Sequence, residues 1–415
     1  MKLHAKETLF TLMLSIVLVF SLTLTASADE VIVETVTTET EEDVEETVEE
    51  TTETDDDSDD NDEDSEDDED DEDYNVVEET KTVTNITEIN EYVEEGEEEV
   101  PEEPVDVDVL ILPKFEVGAI SGDEPGEAQL YYEEYCQGGK IYKVRNAAEG
   151  SKVYYKDGVA LFLTGTGKVN AAQNLMALLT DPGYDFSDAY ILSTGCAGGA
   201  TENTVLGDVC LITRVSDYDL GHHADPREIE SPDENSTWFH VESFDASAYR
   251  LLNPDLISRV YPLIKDVKCA TSEETKKIMA DSFDNAEWAT RDPKVLKGCS
   301  VTGDNYWKGS FNEATAKLIS STYPMPDPYV TTEMEDIATA ITADRTGMLN
   351  RLIILRDVVN MDVFLNDATP EKLWGSDEEQ ESDVLDEEKA IFDTARENNF
   401  NVGRVIIDAI LNGEL

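Results

Sequence analysis

Apolar residues recur in short, continuous runs along the chain after about residue 105. The clearest runs lie at residues 107–112, 159–163, 188–193, 208–218 and 352–356. Runs of this length and composition are typical of strands that are buried on both faces. The pattern therefore predicts a sheet whose two faces are both covered.

Segments with helical spacing of apolar residues alternate with these runs. They follow Lys168 and lie at residues 253–260, 312–320, 334–343 and 387–398. Asn253 is a suitable N-cap for one of them, and Pro254 suits its first turn. The alternation of strands and helices predicts a single α/β domain over residues 105–415.

The amino terminus has the layout of a secretory signal peptide. Lys2 and Lys6 precede an apolar run, and Ala26-Ser27-Ala28 follows as a small-residue cleavage site. We therefore expect residues 1–28 to direct export, with the mature protein secreted or held at the cell envelope. The alternative is an uncleaved membrane anchor, because the run is nearly long enough to span a bilayer.

Residues 29–104 contain 39 acidic residues and one basic residue, Lys81. Such a segment buries too little apolar surface to offset its ordering entropy, and its charges repel one another. It is predicted to be a disordered acidic tether. A calcium loop of the EF-hand type is the alternative, but the glycine and the spaced glutamate that it needs are absent.

The predicted domain is itself acidic, since residues 105–415 hold 27 basic and 55 acidic residues, a net charge of −28. Nucleic acid binding needs a basic surface, so this charge excludes nucleic acid as a partner. The five cysteines include no CxxC pair, and their odd number fixes no disulfide. His222-His223 with Asp225 could be metal ligands, but neighbouring histidines in one loop rarely converge, and no metal site is predicted.

Two glycine-containing stretches follow predicted strands. Gly165-Thr166-Gly167-Lys168 leads into a helix, where backbone N–H groups can cradle an anion. The alternative is an ordinary tight turn. Residues 193–199 end the next strand, and their glycines allow a ligand to approach the backbone closely.

Two further stretches carry aromatic and polar side chains. Tyr306 and Trp307 follow a turn, and two rings could hold a flat base between them; the alternative is core packing. Glu333-Met334-Glu335 begins a predicted helix, and residues 356–360 end a predicted strand. A carboxylate can accept both hydroxyls of a ribose, and an amide can face a base edge; the alternative is solvated surface groups.

In their order and spacing these stretches resemble the nucleoside phosphorylase and nucleosidase superfamily. The chain looks most like its purine nucleoside permease branch, through Asp304-Asn305-Tyr306-Trp307-Lys308-Gly309, Glu335-Asp336 with Ala338-Thr339, and Asp225-Pro226-Arg227-Glu228. The resemblance covers most of residues 105–367. It implies a three-layer α/β/α domain with a mixed central sheet.

The resemblance implies a purine nucleoside as ligand and a role for individual residues. Glu335 would bind the ribose hydroxyls, Met334 would pack on the sugar, and Asn360 would face N7 of the base. A donor at N7 stabilises the purine as negative charge develops on it. Asn360 and Glu335 are therefore the expected catalytic residues. The expected substrate-binding residues are Thr166, Gly167, Cys196, Ala197, Gly198, Tyr306, Trp307, Met334, Glu335 and Asn360.

Two departures from the family pattern leave the reaction open. Phosphorylases of this superfamily carry an arginine in the strand-end loop, where this chain has Cys196 and no arginine nearby. Nucleosidases carry a water-activating glutamate at a position that falls near Gly118, with Glu116 two residues away. Phosphate therefore stays a candidate co-substrate only, no cofactor is expected, and a nucleophilic pair of Cys196 with a histidine is a remaining rival.

Two classes of function follow from the resemblance. One is an enzyme that cleaves the N-glycosidic bond of a purine nucleoside with water or phosphate. The other is a non-catalytic binding component that supports nucleoside transport. Transport would need a membrane partner, because the only apolar segment long enough to span a bilayer lies in the signal. A homo-oligomer is a further option, since relatives complete their sites across subunit contacts.

The Ala26-Ser27-Ala28 site predicts that the mature chain begins at Asp29. Amino-terminal sequencing of protein purified from its native cells should find Asp29 first, because signal peptidase cuts after a small-x-small exit. Recovery of Met1 or Lys2 on membrane-bound protein would show an anchor instead.

Overall fold

A mixed sheet of ten strands organises the part of the chain that the structure describes. This computed structural model describes residues 99–123, 125–229, 237–365 and 382–415, which belong to one unit, Ile86–Leu415. The strands of the sheet are β1 (Val109–Leu112), β2 (Lys140–Lys143), β3 (Lys152–Lys156), β4 (Val159–Phe162), β5 (Tyr190–Gly199), β6 (Val209–Asp217), β7 (Tyr249–Leu251), β8 (Val295–Thr302), β9 (Tyr329–Glu333) and β10 (Leu352–Met361). Two small pairs lie outside it, Val105–Asp106 with Tyr184–Asp185 and His222–His223 with Trp238–Phe239.

Helices cover the sheet. The longer ones are α1 (Lys168–Leu179), α2 (Pro254–Ile264), α3 (Glu273–Ser282), α4 (Ser310–Thr322), α5 (Asp336–Arg345) and α6 (Ser382–Leu411). Short helical turns lie at Gln129–Tyr131, Tyr132–Cys136, Pro226–Glu228, Glu242–Phe244, Asp245–Ala248 and Leu349–Arg351. The Asn253 side chain caps α2, as the sequence predicted, by accepting from the Asp255 N–H. Within the described ranges, no helix is both long and apolar enough to cross a bilayer.

Five of the strands close into a ring. β5 pairs with β10, β10 with β6, β6 with β8, β8 with β9, and β9 returns to β5. Gly198 and Gly199 make the closure, because they pair with β9 on one edge and with β10 on the other. A Cβ on Gly199 would overlap the side chains of Thr204 and Val358, so a larger residue would push these elements apart.

Strand β5 changes its partner halfway along its length. Its first residues, 190–193, pair with β1, whereas only Gly198 and Gly199 pair with β9. In the described structure, the backbone of residues 194–197 therefore has no strand beside it on this edge. Buried backbone groups at such a gap need other partners, and a gap of this kind at the ends of strands is a common place for a ligand.

The predicted burial of the strands on both faces is confirmed. Along β1, Leu110 and Leu112 join one apolar cluster, while Val109 and Ile111 join another on the opposite face. The α/β class and the mixed sheet are confirmed as well. The three-layer arrangement stays a prediction, because a closed ring of strands is not a stack of flat layers.

The amino-terminal boundary of the domain can be followed from Glu99. The Glu99 N–H donates to the Ile141 carbonyl over 3.0 Å, and its carbonyl accepts from the Lys143 N–H over 2.9 Å. The chain thus already contacts the sheet before Val105, where the tether was predicted to end. The predicted signal peptide and most of the tether lie outside the described residues.

Gly298 of β8 lies against Val330 of β9, and a Cβ there would overlap the valine side chain. Gly298→Ala should lower the free energy of unfolding by about 1–3 kcal/mol, the usual result of overpacking a core. Adding Val330→Ala makes room for the new methyl group. The double variant should therefore lose less free energy of unfolding than the two single variants lose together. Urea unfolding of the three variants measures this, and strictly additive losses would contradict the contact.

Candidate functional site

A cleft opens at the gap in β5. Its enclosed part has a volume of about 100 Å³, and Tyr306, which is 54% exposed, lies at its mouth. The lining residues are Lys114, Phe115, Glu127, Thr166, Cys196, Ala197, Gly198, Asn305, Tyr306, Trp307, Thr332, Glu333, Met334, Glu335, Arg356, Asn360 and Asp362.

The structure brings together the stretches that the sequence singled out. Nine of the ten residues expected to bind substrate line this cleft, including both expected catalytic residues, Glu335 and Asn360. The tenth, Gly167, lies just behind it and donates its backbone N–H to Glu335 Oε1 over 2.9 Å. The individual roles of these residues stay predictions.

Arg356 connects the elements around the cleft. Its Nη1 donates to the Cys196 carbonyl over 2.9 Å, which satisfies one backbone group in the gap of β5. Its Nε lies 3.1 Å from both carboxylate oxygens of Asp336, and its Nη2 lies 3.2 Å from Glu333 and 3.1 Å from Glu335. No arginine lies near Cys196 in the sequence, so none was expected beside it. That expectation was wrong, because Arg356 lies on β10, which pairs with β5 along this stretch.

Glu333 fixes the start of α5 and so positions Glu335. Its Oε2 accepts the backbone N–H groups of Glu335 and Asp336, over 2.7 and 2.6 Å. Its Oε1 accepts the hydroxyl groups of Ser300 and Thr302 from β8. Burial and the neighbouring Asp336 raise the pKa of Glu333, while Arg356 opposes the rise. Every oxygen of this carboxyl group therefore already has protein partners.

Glu335 keeps acceptor capacity for a ligand. Its Oε1 accepts from Gly167 N–H and its Oε2 accepts from Arg356, so each oxygen has one partner. A carboxylate has about four acceptor positions, so about two remain. Burial raises the pKa of Glu335, and the charges of Arg356 and Lys114 oppose that rise.

The amino-terminal end of α1 is filled by the chain's own carboxylates. Gly167 N–H donates to Glu335, and Lys168 N–H donates to Asp304 Oδ1 over 2.8 Å. The Lys168 ammonium group also binds Asp217 and Asp219, over 2.9 and 2.7 Å. The anions at this turn are protein side chains, Glu335 and Asp304, which connect α1 to the stretches at residues 333–335 and 303–307.

Glu127 satisfies the other backbone group in the gap of β5. Its Oε1 accepts the Cys196 N–H over 2.8 Å, and its Oε2 accepts the Lys114 N–H over 2.7 Å. A Cβ on Gly195 would lie only 2.8 Å from both Glu127 Oε1 and Arg356 Nη1. Glycine at position 195 therefore lets the carboxylate and the guanidinium flank the strand.

Neither Gly118, where the family's water-activating glutamate would fall, nor the nearby Glu116 lines the cleft. The Glu116 carboxylate accepts the backbone N–H groups of Val117, Gly126, Ala128 and Gln129, so it holds a loop together outside the cleft lining. That loop carries the chain outward and returns it at Glu127. A glutamate therefore does lie in the cleft beyond the end of β1, but about ten residues later in the sequence.

Asn360 and Asp362 lie together beside Gly198 of β5, at the opposite end of the gap from Gly195. Both approach Gly198, where an added Cβ would overlap Asp362 Oδ1 and lie 3.1 Å from Asn360 Nδ2. Asn360 Nδ2 donates to the Met361 carbonyl over 3.2 Å. Asp362 Oδ2 accepts from the Tyr329 hydroxyl over 2.5 Å and from the Thr332 hydroxyl over 3.0 Å. Burial raises the pKa of Asp362 to about 7.

The two aromatic residues of the third stretch do not have equivalent environments. The Trp307 ring packs against Tyr218, with 5.3 Å between ring centroids and 31° between planes. Tyr306 is largely exposed at the mouth of the cleft. A base would therefore contact Trp307 from one side only, since the tryptophan already has a ring neighbour.

The nucleophile and metal alternatives gain no support. Burial and the adjacent Glu127 raise the pKa of the Cys196 thiol to about 12, so the thiol stays protonated. His222 and His223 are exposed in a short strand away from the cleft lining. Among the described residues, no three His, Cys, Asp or Glu side chains converge as metal ligands.

Sequence reasoning missed Lys114, Glu127 and Asp362. Lys114 is 2% exposed, and its Nζ donates to the Leu112 carbonyl and the Ser193 hydroxyl, both over 2.7 Å. Burial and the charge of Arg356 lower the pKa of Lys114. Its position two residues after a buried strand was a usable signal. Asp362 could have been found as the next acid after Asn360, whereas nothing local marked Glu127.

A family model and two related proteins carry the same family description. A family model described as purine nucleoside permease matches residues 106–414. A probable purine nucleoside permease of Schizosaccharomyces pombe is 29% identical over 276 residues, which are 60% of this chain and 74% of that protein. A purine nucleoside permease of Candida albicans is 26% identical over 212 residues, 47% of this chain and about half (52%) of that protein.

Among solved structures, a 5′-methylthioadenosine/S-adenosylhomocysteine nucleosidase from Neisseria meningitidis is similar, with 19% sequence identity and a TM-score of 0.43 over 73% of this chain and 99% of that chain. The corresponding nucleosidase from Colwellia psychrerythraea 34H has 15% identity and a TM-score of 0.44, covering 74% of this chain and 97% of that chain.

Removal of the Arg356 charge should destabilise the protein strongly. Arg356→Met leaves three buried carboxyl groups without their guanidinium, a change that costs about 3–5 kcal/mol in comparable buried ion pairs. Burial already raises the pKa values of Glu333 and Glu335, and these should rise further in the folded variant. The folded protein then binds more protons than the unfolded chain, so the stability of the variant should fall as pH rises from 6 to 8.

Urea unfolding at both pH values checks this prediction, with Arg227→Met as the control. Arg227 pairs with Asp225 on the surface and is 87% exposed, so its loss should change little. Equal stability of the two variants would contradict the assigned role of Arg356.

Proposed function

Because this chain belongs to the purine nucleoside permease family, we propose that its cleft binds a purine nucleoside and cleaves the N-glycosidic bond with water. The observation that carries this proposal is the arrangement along β5. A carboxylate, Glu127, flanks the strand at Gly195, and an amide, Asn360, flanks it at Gly198. These glycines are three residues apart, or about 10 Å at roughly 3.3 Å per residue, which leaves room for a sugar between them.

Glu335 would hold the ribose. It is 3% exposed, lies in the cleft lining, and has about two acceptor positions left after its bonds to Gly167 and Arg356. Two vicinal hydroxyl groups can donate to such a carboxylate. Met334 lines the same cleft and offers an apolar surface to the sugar ring.

Glu127 would take a proton from the attacking water. Both of its oxygens accept backbone N–H groups, which fixes the carboxylate in place and still leaves acceptor positions. Glycoside hydrolysis needs a carboxylate that activates water on the face of the sugar opposite the leaving group. Glu127 is suited to this role because it lies at the end of the cleft away from Asn360.

Asn360 would bind the purine. Its amide offers both a donor and an acceptor, and one of its N–H groups donates to the Met361 carbonyl. Trp307, with Tyr218 behind it, offers an apolar face beside the base. Hydrogen bonds that strengthen as charge moves onto the base lower the barrier to bond cleavage.

Water suits this cleft better than phosphate as the molecule that attacks the sugar. Two cationic side chains line it, Lys114 and Arg356, against four carboxyl groups. The guanidinium and the N–H groups at the start of α1 already bind protein carboxylates. A phosphate dianion would have to displace these partners, whereas a neutral water molecule would not.

Export and partners are part of the same proposal. The signal at residues 1–28 would bring the nucleoside site to the outside of the cell, where the acidic tether keeps it solvated. A homo-oligomer that completes the cleft and a membrane partner for uptake are compatible with this placement. The non-catalytic alternative, a binding component for transport, would use the same cleft without Glu127.

Two matched variants test the proposed reaction. Incubation of the wild-type protein with inosine should release free hypoxanthine. Glu127→Gln should lower kcat by about 100-fold or more, the usual contribution of a positioned general base, while KM changes little. Glu116→Gln should lower thermal stability but keep most of the turnover, because Glu116 does not line the cleft.

Chromatographic detection of hypoxanthine, with inosine affinity measured by calorimetry, decides between the functions. Inosine binding without any base release in the wild-type protein would favour the transport component. Full turnover by Glu127→Gln would remove Glu127 from the reaction.

A further inference from the structure

Three buried polar side chains form a group where α6 packs against the sheet. They are Asp357 of β10 and Arg396 and Asn399 of α6, and we call them the α6 cluster. Arg396 pairs with the Asp357 carboxylate, whose other oxygen accepts from Asn399 Nδ2 over 2.8 Å. Successive side chains of a strand point to opposite faces, so Asp357 lies on the face of β10 away from Arg356. The α6 cluster is not part of the cleft lining, and the proposed reaction does not use it.

Packing of α6 does not by itself require these charges. The helix buries Val402, Ile406 and Ile407 in the same apolar cluster as Ile353 and Leu355 of β10. Replacement of a buried ion pair by apolar side chains of similar volume is often neutral or stabilising. An uncharged contact would therefore hold the helix equally well, and the other contacts of the α6 cluster must account for its charges.

Those contacts lead to the segment that carries Glu127. Arg396 Nη1 lies 3.8 Å from Glu127 Oε1. Four residues after Glu127, the Tyr131 hydroxyl donates to Asn399 Oδ1 over 2.8 Å. The Thr194 hydroxyl, in the gap of β5, donates to the same oxygen over 2.5 Å. The α6 cluster thus connects both ends of this segment to the strand beside which the sugar is proposed to bind.

We propose that Arg396 is a positioning residue for Glu127, whose carboxylate it keeps charged and directed at the attacking water. The inference rests on the proposed function, because Arg396 would act on the reaction only through Glu127. Arg396 belongs to no motif of the sequence analysis and lies on the last helix of the chain.

The distance between the two groups suits this role. At 3.8 Å the guanidinium attracts the carboxylate but is too far away to take one of its acceptor positions by a hydrogen bond. Glu127 is buried, and a buried carboxylate without a counter-charge takes up a proton. A protonated Glu127 could not accept a proton from water. Burial lowers the pKa of Arg396, while Cys196 and Glu127 oppose the change, and an arginine side chain stays charged.

The other cations near Glu127 do not replace Arg396. Among the described residues, Arg396 is the one that forms an ion pair with the Glu127 carboxylate. Arg356 is held by three other carboxyl groups. Lys114 contacts Glu127 through its backbone N–H, while its ammonium group donates to neutral oxygens. The remaining titratable groups that interact with Glu127 are Tyr131, Cys196 and Glu335.

The first experiment removes the ion pair without leaving a buried charge unpaired. Arg396→Met with Asp357→Asn is such a neutral pair, and the new amide can still accept from Asn399. For inosine, kcat should fall about tenfold or more, up to the loss expected for Glu127→Gln, because less of the base is available. KM should change little, since the ribose and base contacts remain.

The matched control is Arg291→Met with Asp208→Asn. It removes another ion pair with a buried aspartate, outside the cleft lining, so kcat should be kept. Equal kcat losses in the two double variants, or a loss confined to KM, would overturn the assignment.

The second experiment asks whether Arg396 acts through Glu127. When Glu127→Gln is added, the neutral pair should lower kcat no further, because the effects of residues that act as a unit do not multiply. Arg396→Lys keeps the charge, so it should retain more of kcat than the neutral pair. A further drop beyond Glu127→Gln, or a lysine variant no better than the neutral pair, would overturn the proposal.

Infrared difference spectra follow the Glu127 proton without any turnover. At neutral pH the neutral pair variant should show the carbonyl band of a protonated carboxyl group, which is lost when Glu127→Gln is added. Absence of this band would overturn the proposal. If the band appears but the wild-type protein does not cleave inosine, hydrolysis fails and the role of Arg396 stands. Inosine cleavage without the band, and with multiplying losses, would sink the inference and keep hydrolysis.

Discussion

The guanidinium of Arg356 is held by Asp336, Glu333 and Glu335, and it reaches past them to the carbonyl of Cys196. This interaction connects three strands and the start of α5 at the point where β5 lacks a strand neighbour. Removing one member would leave buried charge without a partner, which is far more costly than the loss of a surface ion pair. The position of Glu335, and with it the shape of the cleft, depends on this group of charges.

The same arrangement decides which ligands suit the cleft. Positive groups that could have bound an anion are occupied by carboxylates of the chain, both at Arg356 and at the start of α1. What remains for a ligand is mostly acceptor capacity, on Glu127 and Glu335, together with the amide of Asn360. Hydroxyl groups, water and the N–H edges of a base match this pattern, because they are neutral donors.

Much of the fold and of the site could be predicted from the sequence, because the signals were local. Buried strands, the cap of α2 and the loops around Tyr306 and Glu335 each follow from a few neighbouring residues. Closure of the ring could not be predicted, since β8 and β9 carry Lys297, Thr331 and Thr332 within their pattern and depend on pairing for their burial.

Long-range contacts explain the other differences between expectation and structure. Gly167 meets Glu335, 168 residues away, and Arg356 meets Cys196, 160 residues away. No local sequence pattern indicates contacts between residues so far apart in the chain. Glu127 was missed because the loop held by Glu116 separates it from the end of β1, so that no local pattern places it at the cleft.

The identity of the sugar product tests the central claim most directly. The protein is incubated with inosine in phosphate-free buffer and again with phosphate, and the sugar is separated and identified. The proposed reaction predicts ribose in both cases, at a rate that does not depend on phosphate. Formation of ribose 1-phosphate, or base release only when phosphate is present, would contradict it.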